Sequence, residues 1–173
     1  MGIPIFQVDA FTEKPFKGNP AAVCILPGPG NPDWMQNVAT EMNLSETAFL
    51  YRQDDGFNLR WFTPAVEVDL CGHATQASAH ILWEEGLLSL QKEAKFHTRS
   101  GLLVAERRAN QIELDFPATP DEHHDVNHSP RQVLHAAFLP HKLLWLKQGC
   151  NPHPKRSPGL DNESPPNVRQ HSS

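Results

Sequence analysis

A single glutamate stands where apolar segments meet. Glu46 follows Leu44 and precedes Ala48 and Phe49, at the point where a predicted helix gives way to an apolar strand. Apolar surroundings disfavour the charged form of a carboxyl group, so one such group can both accept and release a proton near neutral pH. The alternative is a solvated acid at the edge of the strand, because most glutamates lie on the protein surface. The sequence therefore offers Glu46 as a candidate general acid/base.

The segment Cys71-Gly72-His73 begins a second predicted helix. The first turn of a helix has backbone N–H groups without intrahelical acceptors, and the helix dipole is positive there, so this end attracts anions. Gly72 lets a ligand approach the backbone closely, and a substrate carboxylate would fit. His73 is placed to hydrogen-bond the substrate or to move a proton. A structural contact to a loop carbonyl is the alternative for this histidine.

Metal binding is disfavoured by the spacing of the remaining cysteines and histidines. Cys71 and His73 resemble half of a zinc site, but no second Cys/His pair with ligand spacing follows in the first 118 residues, and the later histidines are scattered. We therefore predict no metal. A third segment, Gly18-Asn19-Pro20, is typical of a turn, since glycine and asparagine tolerate positive φ and proline fixes its own φ.

Regular elements predicted from the sequence place these residues at the ends of strands and helices. Period-two alternation, β-branched and aromatic residues and polar gaps predict strands over residues 3–10, 21–26, 47–52, 57–62, 102–107 and 111–116, the last two around a hairpin at 109–110. Asn31 as N-cap and Pro32 at the first helical position predict a helix over 32–42. A second helix is predicted from about Gly72 to Glu85, with Gly86 as its C-cap.

The second predicted helix is unusual in its small residues. Gly72, Ala74, Ala77, Ser78 and Ala79 cover most of its faces, so neighbouring backbone can approach it all round. A helix of this kind is more consistent with a position inside a sheet than on a surface. We therefore predict an α+β fold in which a strongly curved, barrel-like sheet surrounds one buried central helix.

Composition and charge exclude several classes of partner. The chain has 173 residues, which is room for one domain or for one domain with a long appendage. Fifteen basic against 20 acidic side chains give a net charge of −5, which disfavours nucleic acids and anionic membranes as partners. No apolar run approaches the roughly 18–20 residues that cross a bilayer, and no signal peptide is visible. Three widely spaced cysteines favour a reduced, cytoplasmic chain.

The composition changes near residue 117. Eight of the 16 prolines and seven of the ten histidines fall in residues 119–173. From residue 149 onward there is almost no apolar residue, and such a segment cannot bury enough surface to offset the entropy of ordering it. We predict a folded domain over 1–118 and a mostly disordered tail over 119–173. Within the tail, residues 131–147 are apolar enough for a short helix, which Pro140 would kink or end.

Three motifs, FKGNPAAVC, EMNLSETAFL and RWFTPAVEVDLCGHAT, occur in this order within residues 16–75. Together they resemble the N-terminal half of the phenazine-biosynthesis (PhzF-like) isomerase family, and the resemblance covers about residues 3–118. It implies one half of a diaminopimelate epimerase-like fold, with the active site in the cleft between two such halves. It also implies an isomerase that shifts a proton on a small carboxylate substrate without metal or organic cofactor, and a homodimer.

The resemblance assigns roles to residues of two motifs. By it, Glu46 is the catalytic glutamate, Gly72 and His73 hold the substrate, and Ser45 contributes beside the glutamate. The family's second half, with its Asp-Pro-x-Thr-Gly-Ser-type motif, has no counterpart after residue 117, so the sequence is interpreted as a truncated member. Two alternatives stay open. One is a non-enzymatic interaction or regulatory half-domain, and the other is an epimerase in which Cys71 supplies one of two catalytic thiols.

Overall fold

The computed structural model describes residues 2–14, 16–109 and 111–115, together with the backbone of 116, 132–137 and 142–146. The strands are β1 (Ile5–Ala10), β2 (Asn19–Ile25), β3 (Glu46–Gln53), β4 (Gly56–Phe62), β5 (Glu67–Val68), β6 (Ala94–Thr98), β7 (Gly101–Arg108), β8 (Gln111–Phe116), β9 (Gln132–Ala137) and β10 (Lys142–Leu146). The helices are α1 (Pro32–Met42) and α2 (Gly72–Glu84).

All ten strands belong to one mixed sheet. Its order is β10-β1-β2-β3-β4-β6-β7-β8-β9, and the short β5 pairs with β4. Two neighbouring pairs are parallel, β2 with β3 and β4 with β6, and the other pairs are antiparallel. Parallel neighbours need a long crossover, and the two helices lie in these two crossovers. Helix α1 therefore lies in the connection from β2 to β3, and α2 lies in the connection from β4 to β6.

Helix α2 is buried inside the curve of the sheet. Ten of its 13 residues are buried, between His73 and Trp83. It packs against β1, β2 and β3 and also against β8, which is distant from them in strand order, so the sheet must curl around the helix. Ala74, Ala77 and Ala79 are fully buried, and their small size lets strands approach the helix closely. The predicted curved sheet around a buried central helix is confirmed.

A second, smaller core lies between the other face of the sheet and α1. Side chains alternate between the two faces of a strand. Along β3, Ala48 and Leu50 belong to the core around α2, whereas Phe49 belongs to the core that contains Met35 and Ala39 of α1. Strand β3 is therefore covered on both faces, and its even-numbered side chains turn toward α2.

The helix ends follow the local chemistry that the sequence predicted. The Asn31 side chain accepts a 3.0 Å hydrogen bond from the N–H of Trp34, which makes Asn31 the N-cap of α1. At the end of α2, Gly86 follows the C-cap residue Glu85 with a positive φ of 66°, a conformation that glycine adopts at little cost. In the part of the chain that the structure describes, neither helix is long and apolar enough to span a membrane.

Residues 131–147 are where the sequence prediction of a short helix is wrong. The described parts of this segment are strands: β9 pairs with β8, and β10 pairs with β1. An apolar run this short fits a strand as well as a helix, and the exposed edges of the sheet offer unpaired backbone groups to any extended segment. Residues 117–131, 138–141 and 147–173 lie outside the described residues, and the disorder predicted for the tail falls mostly on them.

Candidate active site

The beginnings of three elements meet at one place: β2, β3 and α2. Strands β2 and β3 run parallel, with Ala21 opposite Glu46, so both begin at the same edge of the sheet. Glu46 precedes Ala48 by two residues and shares its face, the one that turns toward α2. The first turn of α2 reaches the same edge, because His73 contacts Glu46 there. The topology thus joins Ser45 to Asn19, 26 positions before it, and to His73, 28 positions after it.

Glu46 and His73 form the closest contact between ionisable groups at this edge. Oε2 of Glu46 lies 3.1 Å from Nε2 of His73, and the two side chains are 19% and 10% exposed. This contact counts as a close approach of two ionisable groups and not as a hydrogen bond, so Oε2 is buried without a hydrogen-bond partner among the described residues. An acceptor in this state is available to a substrate proton. Burial lowers the pKa of His73, against the opposing effect of the Glu46 charge, and the imidazole is neutral at pH 7.

Ser45 connects the glutamate to the start of β2. Its Oγ lies 3.2 Å from Oδ1 of Asn19 and 3.1 Å from the carbonyl oxygen of Pro20, and it is also 3.4 Å from Nε2 of His73. The single hydroxyl proton can serve only one of the two acceptor oxygens at a time. The 3.2 Å contact with Ser45 makes Asn19 a neighbour of the site. The sequence prediction missed this residue, since Gly-Asn-Pro indicated only a turn.

The loop between β1 and β2 closes over His73. The ring of Phe11 lies 6.3 Å from the imidazole, with 52° between the two planes. Asp9, which is 4% exposed, accepts a 2.9 Å hydrogen bond from the N–H of Phe16 and so ties the loop to β1. At the end of the loop, a Cβ on Gly18 would overlap backbone of β1, so a glycine is needed there for close approach.

Cys71 lies on the opposite side of the imidazole from Glu46. Its Sγ is 3.4 Å from Nδ1 of His73, and the residue is 8% exposed. Burial is the main reason why the pKa of the Cys71 thiol is raised to about 12, and the Glu46 charge adds to the rise, while backbone N–H groups of Ala74 and His73 act against it. The thiol is therefore protonated at neutral pH, which is unfavourable for a catalytic thiolate.

The first turn of α2 has the features of an anion-binding end. It carries no acidic side chain, and the N-cap residue Cys71 makes no side-chain capping hydrogen bond. Gly72 is half-buried and is the first residue of the helix, so a ligand meets no side chain at this position. Backbone N–H groups and the positive end of the helix dipole favour a carboxylate here.

The same cluster brings three potential metal-binding side chains together. One ligand atom each of Glu46, Cys71 and His73 can be chosen so that all three lie within 4.8 Å of one another. However, Glu46 contacts Nε2 of the imidazole and Cys71 contacts Nδ1, and one ion can bind only one of these nitrogens. Tetrahedral zinc lies about 2.0–2.3 Å from each ligand, so the other ligand atoms must surround the one ring nitrogen that binds the ion. The arrangement fits a chain of polar contacts better than a coordination sphere.

The structure brings together all four residues that the sequence analysis selected for the site. Ser45 and Glu46 lie at the start of β3, and Gly72 and His73 lie at the start of α2. The sequence left open a structural role in which His73 contacts a loop carbonyl. In the structure the imidazole contacts the Glu46 carboxyl group. Cys71 joins the cluster as a neighbour of His73.

Comparison with known proteins identifies the family. The sequence model of the PhzC-PhzF family, described as phenazine biosynthesis-like protein, matches residues 8–141. An uncharacterized isomerase of Halalkalibacterium halodurans is 59% identical over 126 residues, which are 73% of this chain and 48% of that protein. The phenazine biosynthesis-like domain-containing protein of Homo sapiens is 47% identical over 137 residues, again 73% of this chain and 47% of that protein.

Solved structures agree on the fold. A PhzF-family phenazine biosynthesis protein of Enterococcus faecalis has a TM-score of 0.65 and 43% identity over 73% of this chain and 48% of that one. A hydroxyproline epimerase of Agrobacterium vitis has a TM-score of 0.50 at 14% identity, over 65% of this chain and 41% of that one, which is a likeness of fold alone. The predicted half of an epimerase-like fold is confirmed.

Two lengths describe the match: the share of each relative that it covers, and the part of this chain that it includes. The chain spans about half the length of the curated relatives it matches. Within the chain, the family match continues to residue 141, past the boundary predicted at residue 118. The matched region contains every residue of the candidate site, and the chain belongs to the PhzC-PhzF family of phenazine biosynthesis-like proteins.

Proposed function

We propose that this chain provides the acid/base group of an isomerase that shifts a proton on a small carboxylate substrate without metal or organic cofactor. Glu46 is the acid/base, and the start of α2 holds the substrate. One observation carries the proposal: Oε2 of Glu46 is buried without a hydrogen-bond partner among the described residues, 3.1 Å from His73 at the positive end of a buried helix. Relatives named as isomerases support the reaction class.

The proposed reaction needs no net change in protons or electrons. The ionised carboxyl group of Glu46 accepts a proton from a substrate carbon, and the electron pair of the broken C–H bond moves into the conjugated carboxylate. The protonated Glu46 then returns the proton to a different carbon, which gives the isomer and restores the carboxylate. Such proton transfer by a positioned side chain accelerates a reaction by about 100- to 10,000-fold.

The neighbours of Glu46 have distinct proposed roles. The backbone N–H of Gly72 and the N–H of the neutral His73 ring stabilise the negative charge that develops on the substrate. Ser45 contributes to substrate binding from the other side, because its Oγ lies 3.4 Å from Nε2 of His73. These donors are held by strands and a helix before substrate arrives, so little reorganisation is needed during the reaction.

The thiol-based epimerase is not supported by the state of Cys71. A thiol whose pKa is about 12 is almost entirely protonated at neutral pH, and its burial disfavours the thiolate. A thiol reagent is expected to leave Cys71 unmodified in the folded protein, because the buried thiol is protonated, and to leave any isomerase activity that depends on Glu46 intact.

The experiment that tests the proposal is deuterium incorporation in D2O. Amino acids, hydroxy acids and unsaturated ring carboxylates are incubated with the protein, and deuterium on carbon is measured by mass spectrometry. Glu46→Gln keeps the shape of the side chain but cannot accept and return a proton, so the rate is expected to fall about 100-fold or more. Glu41→Gln, on the exposed surface of α1, is the matched control and should exchange like the unchanged protein. Equal rates for the two variants would contradict the role of Glu46.

A role in protein association is the second candidate, and exposed aromatic side chains favour it. Phe16 is 79% exposed and Phe11 is 45% exposed, both in the loop that closes over His73. Both side chains present apolar area to water, which a partner surface would remove from water. We propose that this loop mediates self-association into a homodimer. Size-exclusion chromatography with light scattering should give a dimer that Phe16→Ser weakens, whereas a monomer at micromolar concentration would contradict it.

A further inference from the structure

His73 has different neighbours on its two ring nitrogens. Nδ1 lies 3.4 Å from Sγ of Cys71, and Nε2 lies 3.1 Å from Oε2 of Glu46 and 3.4 Å from Oγ of Ser45. A neutral imidazole has one proton, so one nitrogen donates and the other accepts. Which nitrogen has the proton decides whether His73 can donate to a substrate on the Glu46 side.

The oxygens around Nε2 determine the position of that proton. An ionised carboxylate can only accept hydrogen bonds, and a nitrogen lone pair 3.1 Å from its oxygen would be repelled. The hydroxyl of Ser45 has acceptors in Asn19 and Pro20, so its oxygen is free to face an N–H. The proton of the neutral ring is therefore placed on Nε2, and Nδ1 becomes an acceptor.

An acceptor at Nδ1 needs a donor, because the His73 side chain is only 10% exposed and water has little access to it. Cys71 provides that donor. Its sulfur is at hydrogen-bonding distance, and a thiol with a pKa of about 12 keeps its proton throughout the physiological range. Cys71 is the N-cap residue of α2 and His73 follows it by two positions, so the start of the helix itself holds the sulfur beside the ring.

We propose that Cys71 is a positioning residue whose S–H donates a hydrogen bond to Nδ1 of His73 and holds the neutral imidazole with its proton on Nε2, toward Glu46. The catalytic importance of this tautomer rests on the proposed function, whereas the tautomer itself does not. In this arrangement Cys71 touches no substrate. It acts through the ring, as the carboxylate partners of catalytic histidines do when they fix a tautomer.

Nitrogen-15 NMR of histidine-labelled protein at pH 7.5 measures the tautomer directly, with the His73 signals assigned from a His73→Gln sample. In the unchanged protein, Nε2 should show the shift of a protonated ring nitrogen, and Nδ1 that of an unprotonated nitrogen that accepts a hydrogen bond. Cys71→Val removes the donor at similar volume, and Nδ1 should then move toward the shift of an acceptor without a partner. Cys71→Ser restores a donor and should restore the shift.

The second buried cysteine supplies the control. Cys24 is fully buried in the core beside α1, and Cys24→Ala should leave the His73 signals unchanged. If the exchange activity is found, Cys71→Val should lower its rate about 3- to 10-fold, the effect of one hydrogen bond, and Cys71→Ser should recover most of it.

Two results would overturn the proposal: a protonated Nδ1 in the unchanged protein, or identical His73 shifts in the unchanged protein and in folded Cys71→Val. The first needs no variant, so a failure of Cys71→Val to fold does not remove the test. The proposed function fails on separate grounds, since undiminished exchange by Glu46→Gln would refute it and leave the tautomer as measured.

Discussion

Replacing Gly18 with alanine is expected to destabilise the protein and to disturb the loop over the site. A Cβ on this residue would stand 2.6 Å from Cγ2 of Thr12 and 2.9 Å from Cβ of Asp9, and it would overlap the carbonyl oxygen of Ala10. The threonine methyl group can turn away, but Ala10 belongs to β1, which is paired on both sides. Overpacking against such atoms costs about 1–3 kcal/mol. That is a large share of the roughly 5–15 kcal/mol by which a typical domain is stable.

Gly28 is the matched control for this substitution. Nothing lies within 4 Å of a Cβ built there, and its φ is not positive. Gly28→Ala should therefore be neutral or stabilise by up to about 1 kcal/mol, because alanine restricts the unfolded chain. Urea unfolding followed by tryptophan fluorescence measures both variants: the midpoint should fall for Gly18→Ala at an unchanged slope, and stay or rise for Gly28→Ala. A Gly18→Ala midpoint equal to that of the unchanged protein would refute the reasoning.

Three further predictions concern the rest of the fold. Asn31→Ala removes the N-cap of α1 and should cost about 0.5–2 kcal/mol in urea unfolding, whereas Asn37→Ala, in the exposed interior of α1, should be neutral or stabilising. Arg60 lies 2.6 Å from Glu67 and lowers the pKa of that carboxyl group. The pair therefore stabilises the fold at pH values above the pKa of a glutamate in the unfolded chain, about 4.3. This contribution is lost as the pH falls through the lower pKa of the folded state. Glu67→Gln should flatten the loss of stability between pH 5 and 3 (about the range where carboxyl groups titrate), and an unchanged pH dependence would contradict this. After limited proteolysis, the segment with β9 and β10 should stay bound to the rest of the domain in size-exclusion chromatography even where the chain is cut before it, because both strands are paired into the sheet. A fragment that ends near residue 118 and elutes without this segment would contradict these pairings.

Elements defined by local chemistry were predictable from the sequence. The N-cap Asn31 with Pro32, and the glycine after α2, fix helix ends through contacts within a few residues. The small residues of α2 also predicted its central position correctly. The sequence analysis did not predict β5 or β6, and β5 has only two residues, too few to establish alternation. Strands β9 and β10 depend on the free edges of the sheet, which no local pattern reveals.

The site was predictable in its members but not in its contacts. Ser45, Glu46, Gly72 and His73 were selected from their types and motif positions, and their proximity follows from the parallel pairing of β2 and β3 over α2. That pairing is a tertiary feature. For the same reason the sequence gives no sign that Asn19 approaches Ser45 or that Phe11 covers the imidazole. The sulfur contact to Nδ1 depends on the rotamers of two side chains at a helix start.

Transfer of label within the substrate tests most directly whether Glu46 itself moves the proton. A substrate found by the exchange screen is deuterated at the carbon that loses its proton, and its isomerisation is followed in ordinary water. If the buried oxygen of Glu46 accepts and returns the same nucleus, part of the deuterium should remain in the product. Glu41→Gln should give the same result as the unchanged protein, and Glu46→Gln should give almost no product. Complete loss of deuterium together with normal turnover by Glu46→Gln would contradict the account.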